Sequence, residues 1–141
     1  EKIIEELGEL ILHGIRMKPG KPTIIGYDDK TKCVVIGLPG HPVAAVLLFR
    51  LLVNNLYEKL TGSYCVNSKL KVRGVMSENV MQSPGRTTFQ LVTIDDEYNV
   101  SPLFGKSGLI NTMSKADGYI VIDENCEGVN VGEIVDVYLF E

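Results

Sequence analysis

The sequence predicts two kinds of architecture in one chain: an α/β part first, then a small all-β part, either a barrel or a sandwich. Two observations carry this. Up to Gly62 the 141 residues offer two short β-branched runs and then a long, strongly apolar helical stretch. Beyond Gly62 the texture changes to short strand-like runs at regular spacing, separated by clusters of turn-forming residues. The parts are expected to occupy residues 1–62 and 67–141, with the boundary near 62–67.

Taken in order, Ile3, Ile4, Leu7, Leu10 and Ile11 share one helical face, so residues 2–13 are expected to form a helix ended by Gly14. No capping Ser, Thr, Asp or Asn precedes it, and Glu1 is not an initiator Met. The chain is therefore expected to be cut from a longer protein, with a first part that draws on further sequence for its core. A short extended piece at 15–17 leads into Lys18-Pro19-Gly20-Lys21-Pro22. Residues 23–27 and 32–38 then read as adjacent strands, joined by the polar turn Asp28-Asp29-Lys30-Thr31, taken as solvated. After Leu38-Pro39-Gly40-His41-Pro42 a helix is expected over 43–60, closed by Gly62. Its first two turns are apolar on all sides, which predicts a helix that starts inside the protein, while Arg50, Asn54, Glu58 and Lys59 mark exposed later turns. In the second part strands are expected at 69–75, 87–94, 100–103, 118–122 and 133–140, with one short helix near 109–115.

Composition excludes several function classes. The net charge is −4, and it is uneven: residues 1–62 carry eight basic and seven acidic groups, residues 63–141 six and eleven. A net acidic chain without a basic cluster lacks the phosphate-neutralising surface that nucleic-acid binding needs. No apolar run approaches the roughly 18 residues of a membrane span, and no signal-peptide pattern opens the chain. Three scattered cysteines, Cys33, Cys65 and Cys126, form neither a disulfide framework nor a zinc site, which fits reduced thiols in a cytoplasmic protein. Asp95-Asp96-Glu97 reads as a solvated turn, and neither histidine has metal-ligand spacing to a partner.

Two motifs carry chemistry. In Gly37-Leu38-Pro39-Gly40-His41-Pro42 a strand ends, the chain turns, and Pro42 falls where a missing N–H costs nothing at a helix start. Free N–H groups there favour an anion, although a plain strand-to-helix connection has the same pattern. In the 18–22 segment two prolines stiffen a loop that brings Lys18 and Lys21 together. A charged oxygen acceptor would relieve their repulsion, and a solvated basic turn is the alternative.

In this order, Met17 to Pro22, two strands, then Gly37 to Val43 and an apolar helix resembles the end of the molybdopterin-binding domain of MoeA proteins, shared with the related scaffold gephyrin. Ser83-Pro84-Gly85-Arg86-x-x-Phe89, Ser107-Gly108, Ala116-Asp117-Gly118 and Gly132-Glu133-x-Val135-x-Val137 resemble that family's C-terminal β-barrel domain. The resemblance implies a MoaB/Mog-like α/β portion followed by a barrel. It also implies insertion of molybdate into adenylylated molybdopterin with release of AMP, aided by Mg²⁺ whose ligands lie mainly outside this chain, in a homodimer. Positions matching the family's functional motifs are Lys18, Lys21, Pro39, Gly40, His41, Pro42, Arg86 and Ser107. The lysines would neutralise phosphate or molybdate oxygens, the turn would shape the pocket floor, Arg86 would bind an anion bidentately, and Ser107 would donate a hydroxyl. His41 departs from the Asn of many relatives. The family's Ser/Thr-Gly-Gly-x-Ser stretch falls upstream of residue 1, so this chain alone is expected not to catalyse the insertion. A gephyrin-like protein-binding scaffold, or a dimerisation and lid module without its own catalysis, are the alternatives.

Overall fold

The computed structural model describes residues 2–62, 70–105 and 110–140. The expected boundary near 62–67, Cys65 and Ser107 therefore lie outside the described residues, apart from Gly62.

The chain opens with helix α1 (Lys2–Leu7) and turns directly into strand β1 (Gly8–His13). The helix expected over 2–13 thus ends at half its length. β1 pairs antiparallel with β3 (Ile24–Asp28), from Gly8 opposite Asp28 to His13 opposite Ile24, with a bulge between Leu10 and Leu12. A Cβ on Gly8 would sit 2.2 Å from the Tyr27 carbonyl oxygen, so only glycine permits the two backbones to approach this closely. A short isolated helix is marginal in water, and the ladder with β3 outweighs a local 3.6-residue period. Ile4 is buried and packs on Gly26, where a Cβ would meet its Cγ2 at 2.1 Å.

β3 and β4 (Cys33–Gly37) form the expected antiparallel pair, completing a three-stranded sheet β1-β3-β4. Their turn is not simply solvated. Asp28 is buried, and its carboxylate accepts from the Thr31 hydroxyl at 2.7 Å and from the Lys30 N–H at 2.9 Å.

Helix α2 (Pro42–Thr61) starts at its proline and stops at Gly62, which takes the left-handed conformation (φ 68°) and donates to Glu58 O. Its first turns are not buried all round. Val43, Ala44, Leu47 and Leu48 face inward, whereas Val46 and Phe49 are exposed. Arg50, Asn54 and Glu58 are half-buried, and only Lys59 of that set is exposed. Leu47 and Leu48 join Met17, and Leu51, Leu52, Phe89, Tyr119 and Phe140 pack around them, so the helix docks on the outside of the β part. There the Arg50 guanidinium lies 5.2 Å over the Phe140 ring, and Tyr119 stacks on Tyr138 with centroids 5.3 Å apart.

The β part is a closed five-stranded barrel. β5 (Lys71–Met76), β7 (Thr87–Ile94), β8 (Asn99–Pro102), β9 (Gly118–Ile122) and β11 (Ile134–Leu139) run in the order β7-β8-β5-β11-β9, and β9 pairs back onto β7. Closure leaves no edge within the ring, and Met76, Val80, Val92, Val100, Ile120, Ile122 and Val137 fill the interior. Two-residue strands β6 (Val80–Met81) and β10 (Gly128–Val129), absent from the sequence reading, form a small ribbon beside it, and α3 (Ile110–Lys115) follows the expected helix. Another short strand, β2 (Met17–Lys18), leaves the α/β part and adds to β7 in parallel. Among the described residues no helix is long and apolar enough to cross a membrane.

The Asp28 turn has a pH signature. The Thr31 hydroxyl, then the Lys30 N–H, hold its carboxyl below the usual carboxylate range. A depressed value contributes stability that is present above the unfolded pKa and lost as pH falls through the folded one. Replacing Asp28 with Asn is expected to destabilise the fold at neutral pH, by an amount that shrinks as pH drops below about 4. Denaturant melts of both proteins across this range check it; a gap independent of pH would mean the charge is not what the turn uses.

Candidate functional site

The site grows from a gap in the sheet. On the edge of β7 opposite β9, β2 covers Thr87 and Thr88, and β8 pairs from Val92 onward. Between them residues 89 and 90 have no backbone neighbour on that edge, while the Leu91 carbonyl accepts from the Leu103 N–H at 2.8 Å. A cleft of about 320 Å³ opens there, so residues from both faces of β7, Thr88 to Leu91, line it. The 18–22 loop and the start of α2 form the opposite walls.

The basic loop is closed on itself before any ligand arrives. Gly14 N donates to Thr23 O (2.8 Å) and Ile15 N to Lys21 O (3.0 Å). The fully buried Thr23 reaches the Gly20 carbonyl twice, through its hydroxyl at 2.7 Å and its N–H at 3.1 Å. Gly20, at φ 129°, rests against Leu48 of α2, whose Cδ1 would lie 2.8 Å from an added Cβ. The Lys18–Pro19 peptide is cis. Lys18 and Lys21 are both exposed, and both line the cleft.

At the α2 wall, His41 is the N-cap residue in extended conformation, and its side chain makes no capping hydrogen bond. His41 lines the cleft, beside buried Pro39 and the helical residues Val43 and Ala44. The N–H groups of the first turn have no intrahelical acceptor, which turns positive partial charge toward the opening. Arg86 arrives from the barrel, one residue before β7. Its turn is buttressed by the loop at 123–127: Gly85 N donates to Glu124 O (2.7 Å), and Gln82 Nε2 donates to Asp123 O (2.7 Å) and Cys126 O (2.8 Å). Asp123 stiffens that loop, accepting from the N–H and side-chain amide of Asn125, which hold its carboxyl below the usual range.

Five of the eight positions singled out from sequence, Lys18, Lys21, Pro39, His41 and Arg86, therefore line one cleft. Gly40 and Pro42 belong to the same turn but not to its wall, and Ser107 is outside the described residues. The pairs of Lys71 and Arg73 with Asp136 lie elsewhere, and Lys18, Lys21 and Arg86 face the cleft without a carboxylate partner among the described residues. No carboxylate lines the cleft, and no cluster of His, Cys, Asp or Glu among the described residues is suited to a metal ion. The arrangement fits oxyanions and does not fit a divalent cation held by these residues. Sequence reading missed Thr88, Gln90, Leu103 and Thr112, which also line the cleft. For Thr88 and Gln90 the only signal was nearness to Arg86 along β7, Leu103 and Thr112 had none, and nothing in the sequence marks the gap beside β7.

Two family models match separate stretches of the chain. Residues 73–140 match the family model described as MoeA C-terminal region (domain IV), and residues 1–59 match the probable molybdopterin binding domain. The chain belongs to the MoeA family. A putative molybdopterin biosynthesis protein of Methanocaldococcus jannaschii is 37% identical over 139 residues, covering 98% of this chain and 32% of that protein. The molybdopterin molybdenumtransferase of Haemophilus influenzae is 29% identical over 144 residues, covering 98% and 35%. Among solved structures, a molybdopterin biosynthesis MoeA protein from Pyrococcus horikoshii superposes with a TM-score of 0.84 at 35% identity, covering 99% of this chain and 34% of its own. A molybdenum cofactor biosynthesis protein from Pyrococcus furiosus gives 0.78 at 33%, covering 93% and 45%. The chain spans about a third of the length of the curated relatives it matches.

The loop's internal bonds make it a preformed wall of this cleft. Thr23→Val keeps the shape and removes the hydroxyl that donates to Gly20 O. A loss of about 1 kcal/mol in stability is expected from the bond itself. Amide exchange within 18–22 should rise with it, and unchanged protection there would show that the prolines alone hold the loop.

Proposed function

We propose that the cleft is the oxyanion subsite of a molybdopterin molybdenumtransferase, in which molybdate and the phosphate of adenylylated molybdopterin are brought together before AMP leaves. One observation carries this: Lys18 and Lys21 from the α/β part and Arg86 from the barrel, far apart in sequence, converge on one cleft without acid partners. Three unpaired cations around one cleft repel one another, and a tetrahedral oxyanion removes that repulsion while accepting charge-assisted hydrogen bonds. Arg86 offers a planar fork suited to two oxygens, and the lysines offer point charges from the other wall. The α2 N-terminus adds backbone donors beside His41.

The chemistry assigned to these residues is binding, orientation and charge neutralisation. Mg²⁺, which the family resemblance implies, would take its ligands from the substrate and from regions of the relatives that this chain does not span. The same applies to the acidic and phosphate-binding groups needed for turnover. The exposed apolar side chains Ile3, Ile11, Phe49 and Leu60 support association into a homodimer. Sedimentation at tens of micromolar checks that state, and a single monomeric boundary would sink it.

Replacing Lys18 or Lys21 with Ala is expected to weaken binding of molybdate and of the pterin nucleotide. At roughly 1.5–3 kcal/mol for each charged contact, the loss is about ten- to a hundred-fold. Stability without ligand should hold or rise slightly, because each substitution relieves repulsion inside a loop already closed by Thr23. Arg86→Ala should follow the same pattern, and calorimetric titration beside denaturant melts reads both quantities. Unchanged affinity in the double lysine variant would remove the basis for placing the oxyanion here.

A further inference from the structure

The Arg86 guanidinium has no hydrogen-bond or ion-pair partner among the described residues, so its place at the cleft is set from the backbone end. On one side the Thr87 N–H donates to Arg16 O at 3.0 Å, and Thr87 lies opposite Met17 in the parallel pair. On the other side the Gly85 N–H donates to Glu124 O at 2.7 Å. Bonds one residue before and one residue after thus hold the Arg86 main chain. The Thr87 bond rests on a strand pair with apolar packing beneath it. The Gly85 bond rests on residues 123–127, a turn between β9 and β10 that belongs to neither strand. Something else has to hold that turn in place.

Gln82 does so. Its N–H donates to Glu127 O at 2.9 Å, and its side-chain Nε2 donates to Asp123 O at 2.7 Å and to Cys126 O at 2.8 Å. One residue therefore ties both ends of the 123–127 turn to the segment that leads into Arg86. The amide can face only one way, because the opposite orientation would set Oε1 against two carbonyl oxygens. That orientation leaves Oε1 sealed from solvent without a hydrogen-bond partner. A buried acceptor without a donor is unfavourable, and a methionine of similar size would avoid it. A local cost of this kind, kept where a turn supports a binding residue, points to a constraint set by function and not by folding. The turn is braced from within as well, since Asp123 Oδ1 accepts from the N–H and Nδ2 of Asn125 at 2.9 and 2.8 Å.

We infer that Gln82 is a positioning residue for Arg86: it clamps the 123–127 turn, the turn holds Gly85, and Gly85 fixes where the guanidinium starts. This rests on the oxyanion reading of the cleft and deepens it by naming what preorganises the barrel-side cation. Without the clamp the Glu124 carbonyl drifts from Gly85, and binding has to order Arg86 as well as pair with it. The competing role is a plain one, in which Gln82 only closes the ribbon of β6 and β10.

Molybdate is titrated against wild-type protein, Gln82→Met, Arg86→Ala and the double variant, with denaturant melts beside each. Methionine removes both amide bonds and the sealed oxygen together, and water replaces Nε2 at the exposed residues Asp123 and Cys126, so the melting midpoint should shift little. Molybdate affinity should fall about three- to ten-fold in Gln82→Met, and by no further factor when the change is added to Arg86→Ala. A residue that serves only the fold would weaken both backgrounds equally or neither, and either result would overturn the inference. Asp123→Ala is the second arm. It loosens the same turn by removing the acceptor for Asn125, and it also removes a negative charge, which alone would favour an anion. Binding weakened about two-fold there, again only while Arg86 is present, supports positioning. Tighter binding would show that the turn acts through charge and would overturn it. If Gln82→Met does not fold, the Asp123→Ala comparison in the two backgrounds decides alone. Arg86→Ala that binds molybdate as wild type does would overturn the oxyanion reading of Arg86 and this inference with it. Weakened binding in Arg86→Ala beside unchanged binding in Gln82→Met would remove the positioning role and leave the oxyanion subsite standing.

Discussion

Two residues of main chain hold the functional geometry together. Met17 and Lys18 leave the α/β part and run parallel to Thr87 and Thr88 of the barrel, and the Thr87 N–H donates to Arg16 O at 3.0 Å. A parallel pair this short contributes little by itself. It holds because Met17 is buried with Leu47 and Leu48 beneath it, while Phe89, Tyr119 and Phe140 pack around that cluster. The apolar contact between α2 and the barrel wall fixes the strand, and the strand fixes everything polar above it. Lys18 is the next residue after Met17, and Arg86 immediately precedes Thr87. With Met17 opposite Thr87 and Lys18 opposite Thr88, Arg86 falls two positions before the residue opposite Lys18, on the same face of the two strands.

The same pairing explains why the cleft exists. Had β2 continued past Lys18, it would have covered residues 89 and 90 and sealed the edge of β7. It stops because Pro19 lacks an N–H and Gly20 turns the chain away at φ 129°. The residues that end the strand are thus those that open the cleft, and the loop that follows becomes its wall. Thr23 then ties the loop back to Gly20, so its shape does not depend on a ligand. Preorganisation of this kind spares the binding step the entropy of ordering the loop.

Local chemistry was legible in the sequence, and long-range chemistry was not. The β3–β4 pair, the bounds of α2 and the strands at 87–94 and 118–122 follow from patterns a few residues long, namely β-branching, a proline at a helix start and a glycine at its end. The motifs around Lys18, His41 and Arg86 were visible for the same reason, because prolines and glycines mark turns wherever they fall. β1 was misread because Leu10 and Ile11 continue a helical stripe, and only the backbone of Tyr27 against Gly8 decides otherwise. β2, β6 and β10 are too short to have a period at all. Asp28 looked solvated because its burial comes from packing around the turn and not from the turn's composition. Thr88 and Gln90 were passed over since each is ordinary strand chemistry until a neighbouring strand is missing.

What the cleft selects follows from how its donors and acceptors are distributed. The rim supplies only donors, from two ammonium groups, one guanidinium and the helix start, and none is neutralised by a carboxylate in the described structure. A rim of that kind does not distinguish one tetrahedral oxyanion from another of similar size, since charge and approximate radius are all it senses. On β7 the amide of Gln90 is held by two backbone carbonyls, those of Leu91 and Leu103, and buried Thr88 stands two residues before it. Both are held by the barrel, whereas the lysines are held by the α/β part. Charge is therefore drawn from both halves of the chain, the lysines from the α/β part and Arg86 from the barrel. The Met17–Thr87 register is what makes one ligand meet both.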